Sequence, residues 1–306
     1  LIMGAKVVFA DVKYGTHNID PAKVIEKISE KTKAIIPVSY HGLPCDIDEL
    51  KEIGKKYSIP IIEDNAQTHL GEYKGRYVGT DADFAMFSLE RTKHISCHEG
   101  GVLLTNDETL ATKARKFGGG GFKNLTSDKS KLAAIIPSEF QSPDYKRHDS
   151  LGLNYRISEF CAAIALGQFE KVEEKVKIRR NIAKLYLKIF KKFPQFQPQS
   201  VPRGYKHSYF TFAVKSPFTK LKDWKKFYNF HLKNKGDDFY AMMSPVYSED
   251  IMKKLGFEKK YKKICGVTEK IQPKAMLFKT NYRNLYEAKK YLNILEKNLT
   301  NFFHGK

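Results

Sequence analysis

Two apolar segments separated by a helical pattern most constrain the fold of this chain. AIIPV at residues 34–38 and IPIIED at residues 59–64 predict buried strands, and DIDELKEIGKKY predicts a helix over residues 46–57 between them. Strands that are apolar throughout and alternate with helices are typical of a parallel sheet covered by helices on both faces. The sequence therefore predicts an α/β fold with a mainly parallel sheet.

The same alternation continues on both sides of this unit. VVFAD predicts a strand over residues 7–11, and Asp20 followed by Pro21 predicts the N-cap and first turn of a helix that ends near Glu30. The later elements that we expect are strands over residues 84–88 and 102–105 and a helix over residues 107–117.

A loop and a long helix indicate where this first domain ends. Residues 118–152 contain GGGG and show little periodicity, which predicts a long loop of a kind that tends to be functional or mobile. Residues 157–193 carry one helical pattern, and the segment from Pro194 to Pro202 ends it. We predict a large domain over residues 1–193 that closes with a connecting helix over residues 157–193.

The chain after Pro202 has the pattern of a smaller domain. HSYFTFAV predicts a strand over residues 207–214, and helices are expected over residues 221–234 and 286–303. This mixture predicts a small α+β domain over residues 194–306.

The net charge of +20 at first suggests a polyanionic partner such as nucleic acid. Residues 1–150 carry 21 basic and 21 acidic side chains, so the whole excess lies in residues 151–306, and only nine of the 54 basic residues are arginine. Base and phosphate recognition favours arginine, whereas a lysine excess is typical of solvated helix faces. We therefore predict no nucleic-acid partner.

Cysteine usage and apolar run lengths restrict the class of protein. Cys45, Cys97, Cys161 and Cys265 lie far apart without a C-x-x-C pair, so we expect no metal site and no disulfide framework. No apolar run approaches the roughly 18 residues of a membrane-spanning helix, and no secretion signal opens the chain. We expect a cytoplasmic protein without membrane contact. Because the chain starts at Leu1 and soon enters an apolar segment, we also expect polypeptide upstream.

Polar side chains stand where two predicted strands end. Asp64 closes IPIIED and Gln67 follows it, whereas Ser88 closes the strand over residues 84–88 and Lys93 follows five residues later. Ligands of open α/β sheets bind at the carboxyl ends of the strands. Asp64 alone is typical of a helix cap and Lys93 alone of surface charge, so the inference rests on the whole pattern.

This pattern resembles the DegT/DnrJ/EryC1/StrS family of sugar aminotransferases, which are fold-type-I enzymes dependent on pyridoxal 5′-phosphate (PLP). The resemblance covers nearly the whole chain and rests on GAKVVFADV, TKAIIPVSYHGLPCDIDEL, IIEDNAQTHLGEYKGRYVGTDADFAMFSLERTKHISCHEGGVLLTND and GLNYRISEFCAAIALGQFEKVEEKVKIRRNIA. It implies a fold-type-I large domain. The family's Gly-Thr phosphate-binding turn and ring-stacking aromatic residue have no counterpart here, which implies an N-terminally truncated member.

The resemblance implies a role for each residue at the strand ends. Lys93 is expected to form the Schiff base with PLP and to carry the proton between the substrate Cα and the cofactor C4′ carbon. Asp64 is expected to keep the pyridine nitrogen protonated, Gln67 to lie beside the ring and its 3-hydroxyl, and Ser88 to bind the cofactor phosphate.

Asn154 and Arg156 precede the predicted long helix. In the resembling family this segment reaches the active site of the other subunit and helps to hold the PLP phosphate, which implies a homodimer with shared active sites. A phosphate there gains from a helix N-terminus and a guanidinium. A helix-capping ion pair is the alternative role for Arg156.

Several neighbouring residues are weaker candidates. His94 and His98 are candidates for proton transfer, His69 for support of the site, and Arg147 and His148 for substrate contacts. Specificity is expected to depend on the loop over residues 118–152 and on residues 279–283, KTNYR.

These observations predict a PLP-dependent aminotransferase that converts a nucleotide-linked keto sugar, a 4-keto-6-deoxyhexose, into an amino sugar. Glutamate is the expected donor, and the expected context is the biosynthesis of cell-surface polysaccharide or glycan sugars. Two alternatives stay open. One is a catalytically silent homologue that acts as a dimerisation or regulatory subunit. The other is a PLP-dependent sugar dehydratase, although in those relatives a histidine replaces the lysine found here as Lys93.

Overall fold

A mixed sheet carries the strand ends on which the sequence places the site. The computed structural model describes residues 1–127, 138 and 141–305, and this sheet has the order β1 (Ile62–Asp64), β4 (Phe84–Ser88), β5 (Gly101–Leu104). β1 and β4 run parallel with Asp64 opposite Met86, and β4 and β5 run antiparallel. Residues 34–38 extend the parallel part through bridges from Ile35 to Ile61 and from Val38 to Asp64.

The helices of this part of the chain are α1 (Pro21–Ile25), α2 (Ile47–Tyr57) and α3 (Glu108–Gly118). Asp20 caps α1, since its Oδ1 accepts a hydrogen bond from the Ala22 amide at 3.0 Å. Leu50 of α2 is fully buried in a cluster with Ile35 and Ile61, and burying such a side chain contributes roughly 1.5–3 kcal/mol. The helix therefore fixes the segment that leads into β1.

A second sheet joins distant parts of the chain. Its strands are β2 (Glu72–Tyr73), β3 (Arg76–Tyr77) and β7 (Tyr205–Lys206), all antiparallel, in the order β3-β2-β7. An ion pair between Lys206 Nζ and Glu72 Oε2, at 2.7 Å, reinforces the pairing of β2 with β7. Residues just after Pro202 are thus anchored beside the first sheet.

A third, antiparallel sheet forms the rest of the fold. Its order is β6 (Gln197–Pro198), β8 (Phe212–Lys215), β10 (Ala275–Phe278), β9 (Tyr240–Ala241). The helices of this part are α6 (Leu221–Lys233), α7 (Asp250–Lys254), α8 (Phe257–Ile264), α9 (Gly266–Ile271) and α10 (Leu285–His304). Its core is aromatic and includes Phe212, Phe227 and Phe278, with Leu292 and Leu299 of α10.

The helix predicted over residues 157–193 is two helices, α4 (Glu159–Phe169) and α5 (Val172–Lys191). Lys171, with φ −111° and ψ 7°, leaves helical geometry between them. Ile182 and Tyr186 of α5 pack into the aromatic core described above. The helix therefore shares its core with residues beyond 193, and the domain boundary at that residue stays a prediction.

Three further expectations need correction. Residues 7–11 form no strand among the described residues; the Asp11 carboxylate instead accepts hydrogen bonds from the Val267 and Thr268 amides at 2.8 and 2.9 Å. α1 ends at Ile25 rather than near Glu30. The strand expected over residues 207–214 begins only at Phe212, because the backbone before it leaves the extended conformation at Tyr209, whose φ is 51°.

Other expectations are confirmed or fall outside the structure. The strand over residues 84–88 is confirmed at both ends. Within the loop predicted over residues 118–152, residues 128–137, 139 and 140 lie outside the described part of the chain. None of the helices described is both long and apolar enough to span a bilayer.

Candidate functional site

Asp64 and Ser88 lie at one edge and on one face of the first sheet. Asp64 pairs with Met86 across parallel strands, and Ser88 stands two residues beyond Met86 on β4. Side chains two apart on a strand share a face, so the strand spacing puts Asp64 and Ser88 about 8 Å apart. The Asn65 amide donates to the Met86 carbonyl at 2.9 Å, and Asp64 Oδ1 accepts from the Ala66 amide at 2.9 Å. Both side chains remain half-buried.

Gln67 is fixed in the turn that follows β1. Its Oε1 accepts a hydrogen bond from the His41 amide at 2.8 Å, while Thr68 Oγ1 donates to the Ser39 carbonyl at 2.6 Å. These bonds orient the amide so that Gln67 Nε2, which donates to no other described residue, is available for a ligand. Sequence reasoning missed His41, because its contact joins residues 26 positions apart.

Lys93 is presented by a loop that continues β4 and β5. The Leu89 amide donates to the Gly100 carbonyl at 2.9 Å, and the Lys93 amide donates to the Glu90 carbonyl at 3.0 Å. Ser88 Oγ accepts from the Glu90 amide at 3.2 Å, so Ser88 also organises the start of this loop. The Lys93 ammonium lies 4.8 Å from the centre of the Phe210 ring and forms no ion pair with the carboxylates in the described part of the chain.

Two buried histidines lie beside this lysine. The ring centres of His69 and His94 are 5.3 Å apart, and His94 Nε2 makes a 3.1 Å hydrogen bond with the Ser208 carbonyl. Burial, with the charge of Lys93 adding to it, lowers the pKa of His69 to about 4. Burial also holds the pKa of His94 well below its ordinary value. Both rings are therefore neutral at neutral pH, whereas His98 is exposed.

Asn154 and Arg156 are not brought to the other predicted site residues within this chain. Arg156 Nε donates to Asn154 Oδ1 at 3.0 Å, and both side chains are exposed. No hydrogen bond or ion pair in the described residues joins them to Asp64, Gln67, Ser88 or Lys93. The cap of α4 is Ser158, whose Oγ accepts from the Cys161 amide at 3.2 Å, so Arg156 is free of that role.

The weaker candidates have local structural contacts. His148 stacks on Phe122 with ring centres 4.7 Å apart, and its Nδ1 lies 2.9 Å from the Gly120 carbonyl oxygen. In KTNYR, the Lys279 ammonium pairs with Asp237 at 2.9 Å and also with Asp238. These contacts give no support to a direct role for His148 or Lys279 in binding a substrate.

The arrangement can therefore hold a ring-shaped anionic cofactor. A carboxylate and an amide donor lie at and after the end of β1. A hydroxyl and an amine that pairs with no described carboxylate lie at and after the end of β4. These are the groups that a protonated pyridine nitrogen, a phenolic oxygen, a phosphate and an aldehyde require.

Comparisons with known proteins bear on both the fold and the site. The model for the DegT/DnrJ/EryC1/StrS aminotransferase family matches residues 1–281. A GDP-perosamine synthase of Escherichia coli O157:H7 is 31% identical over 255 residues, which cover 82% of this chain and 64% of the relative. The chain thus spans just under two-thirds of the length of this curated relative.

Solved structures share the architecture. An aminotransferase from Psychrobacter cryohalolentis superposes with a TM-score of 0.84 at 25% identity, over 98% of this chain and 77% of that one. A GDP-4-keto-6-deoxy-D-mannose-3-dehydratase of Escherichia coli, with bound hydrated PLP, gives a TM-score of 0.76 at 22% identity, over 94% and 73% of the respective chains. These similarities confirm the predicted fold-type-I α/β fold.

Proposed function

The chain belongs to the DegT/DnrJ/EryC1/StrS aminotransferase family, and from this membership we propose that it is a PLP-dependent sugar aminotransferase. The observation that carries the proposal is that Asp64 and Ser88 share one face of the sheet where β1 and β4 end. Gln67 lies in the turn after β1, and Lys93, which pairs with no described carboxylate, lies in the loop after β4. A half-buried amine without an anionic partner suits covalent attachment of an aldehyde cofactor.

The donor set fits PLP residue by residue. Asp64 would hold the pyridine nitrogen as its ion-pair partner, and Gln67 would donate through Nε2 to the phenolic oxygen. Ser88 would donate its hydroxyl proton to the phosphate while its Oγ still accepts from the Glu90 amide. Bound PLP supplies a ring that accepts electrons from the substrate carbon.

Lys93 is the proton carrier in this proposal. Its free amine would take the Cα proton of the amino donor, for which we propose glutamate, and would deliver that proton to the cofactor carbon. The neutral rings of His69 and His94 add no positive charge beside the amine. The amino group would pass from the donor to the keto sugar. Water would supply the carbonyl oxygen of the departing 2-keto acid, and the carbonyl oxygen of the keto sugar would leave as water.

The proposed acceptor is a nucleotide-linked 4-keto-6-deoxyhexose. The name of the relative from Escherichia coli, GDP-perosamine synthase, supports a GDP-linked amino sugar as product. The excess of basic residues after residue 150 favours attraction of an anionic nucleotide over a neutral sugar. A cytoplasmic location and a place in polysaccharide or glycan biosynthesis stay predictions.

The direct test is to supply PLP and glutamate with a panel of nucleotide-linked keto sugars and to follow the product by mass spectrometry. We expect an amine in place of the carbonyl oxygen, and we expect Lys93→Ala to abolish it. A product that has lost water without gaining nitrogen would instead identify a dehydratase. A folded wild-type protein that takes up no PLP would favour a silent homologue.

A homodimer with shared active sites completes the proposal. α4 exposes Phe160, Ile164, Leu166 and Phe169, which are 52–85% exposed. Monomeric proteins rarely expose such an apolar surface, which supports an interface that includes α4. Arg156 lies three residues before α4, so this interface would carry it toward the partner's cofactor phosphate.

Subunit complementation tests the shared site. Lys93→Ala and Arg156→Ala chains carrying different affinity tags are co-expressed, and the heterodimer is purified through both tags. Each homodimer is expected to be nearly inactive, whereas the heterodimer regains about half of the wild-type activity, because a two-fold axis leaves one of two sites intact. A heterodimer as inactive as its parents would overturn the shared site.

A further inference from the structure

Side chains hold four consecutive carbonyl groups of residues 207–210. The segment over residues 207–211 leads into β8 without forming a strand, and its carbonyls point to four different partners. Arg180 Nε donates to the His207 carbonyl at 2.9 Å, and His94 Nε2 donates to the Ser208 carbonyl at 3.1 Å. Thr280 Oγ1 donates to the Tyr209 carbonyl at 2.6 Å, and Arg179 Nη1 donates to the Phe210 carbonyl at 2.9 Å. These partners come from three separate parts of the chain.

The amide groups of the same segment are held as well. The Ser208 amide donates to the Gly42 carbonyl at 2.8 Å, and the Tyr209 amide donates to His207 Nδ1 at 2.8 Å. Tyr209 has a φ of 51°, a left-handed conformation that a tyrosine adopts only when its surroundings impose it. The backbone on both sides of Phe210 is therefore fixed.

The Phe210 ring, held in this way, faces the reactive lysine. The Lys93 ammonium lies over the ring, 4.8 Å from its centre, and the ring centre of His94 lies 6.1 Å from that of Phe210. Aromatic faces attract cations through the ring quadrupole. A lysine has four flexible side-chain torsions, so one fixed attractive surface reduces the number of orientations that its amine samples.

We propose that Phe210 is a positioning residue for Lys93, with the 207–211 segment as its rigid support. This inference rests on the proposed aminotransferase function, since it concerns how often the amine is aimed into the cofactor site. Arg179 is a part of the support: its side chain is 93% buried, forms no ion pair with a described carboxylate, and binds the Phe210 carbonyl and Thr280 Oγ1. Helix α5 thus supports, through Arg179, the residue whose ring contacts Lys93.

The experiment compares Phe210→Leu and Phe210→Tyr with the wild type. Phe210→Leu keeps an apolar side chain but removes the ring face, whereas Phe210→Tyr keeps the ring face. For Phe210→Leu we expect PLP uptake by the cofactor-free protein and kcat of the glutamate half-reaction to fall about fivefold, with KM for glutamate unchanged. Phe210→Tyr is expected to restore both rates.

Two further measurements separate positioning from general damage. Phe212→Leu is the matched control, because Phe212 lies two residues away in the aromatic core; it should lower the thermal midpoint without the kinetic pattern. In the cofactor-free wild type, the proton resonances of the Lys93 side chain next to Nζ should be shifted upfield by the ring current, and Phe210→Leu should abolish that shift.

The outcomes distinguish this inference from the function on which it rests. Equal PLP uptake and kcat in the wild type and in Phe210→Leu would overturn the positioning role alone. A tyrosine variant as slow as the leucine variant would do the same. A wild-type protein that takes up no PLP would overturn the proposed function and this inference with it.

Discussion

Buried neutral histidines make the stability of this fold sensitive to acid, and His17 offers the clearest test. Its side chain is 6% exposed, and its ring centre lies 5.9 Å from that of His41. Burial lowers the pKa of His17 from 6.5 to about 4. The unfolded chain therefore binds more protons than the folded one below pH 6.5. The neutral His17 side chain therefore makes its full contribution to stability above pH 6.5, and this contribution is lost as the pH falls toward 4.

The expected size follows from these two pKa values. At pH 5, the protonation of His17 in the unfolded state alone costs the folded protein about 2 kcal/mol relative to pH 8. His17→Asn removes the titration, and asparagine tolerates the φ of 60° at this position. At pH 8 the variant is expected to be less stable by about 1 kcal/mol, because ring packing is lost. Between pH 8 and pH 5, the free energy of unfolding of the variant should rise by about 2 kcal/mol relative to that of the wild type.

Urea unfolding at pH 8 and pH 5, with both transitions fitted to two states, measures this change. The control is His304→Asn, which makes the same substitution at an exposed histidine. His69 and His207 titrate in the same direction in every variant, so their contribution cancels in the comparison. The reasoning would be refuted if the free energies of unfolding of the wild type and His17→Asn differed by the same amount at both pH values.

Three other substitutions test separate parts of the structure. Gly42→Ala places a Cβ 2.7 Å from the Tyr209 amide nitrogen at a φ of 104°; we expect a loss of at least about 2 kcal/mol in urea unfolding and slower PLP uptake. Asp11→Asn weakens the carboxylate contacts with Thr268 and should lower stability by about 1–3 kcal/mol, measured in the same way. Asp48→Asn removes only exposed ion pairs and should leave the thermal midpoint unchanged.

Local patterns predicted the elements whose stability comes from their own sequence. The strand over residues 84–88 follows from its apolar run, and helix α2 follows from helical periodicity. The burial of Leu50 and Ile53 in the adjacent cluster agrees with the predicted face of α2. The position of Asp64 and Ser88 on one face also follows from sequence, because a strand alternates its side chains and parallel neighbours end at one edge. The broad outline of the candidate site was therefore accessible.

Contacts between distant residues were not accessible in this way. HSYFTFAV has the composition of a strand, yet the carbonyl groups of its first four residues accept hydrogen bonds from side chains. The donors are Arg180, His94, Thr280 and Arg179. Tyr209, with a φ of 51°, leaves the extended conformation, so a strand ladder cannot run through it. No periodicity in the sequence reports these contacts. Phe210 was missed for the same reason, since 117 residues separate it from Lys93.

The segment EFCAAIALGQF has the pattern of a buried helix, although the single chain leaves much of it exposed. A helix that is apolar on all sides is normally buried, yet Phe160 of α4 is 85% exposed. The residues that bury this apolar surface must then lie outside the described residues. In a symmetric dimer, each copy would bury the α4 surface of the other. Arg156 lies three residues before this helix and contacts only Asn154 among the predicted site residues, so a second copy that covers α4 would bring its own residues near the guanidinium. This is the physical reason to expect activity from a heterodimer that combines Lys93→Ala with Arg156→Ala.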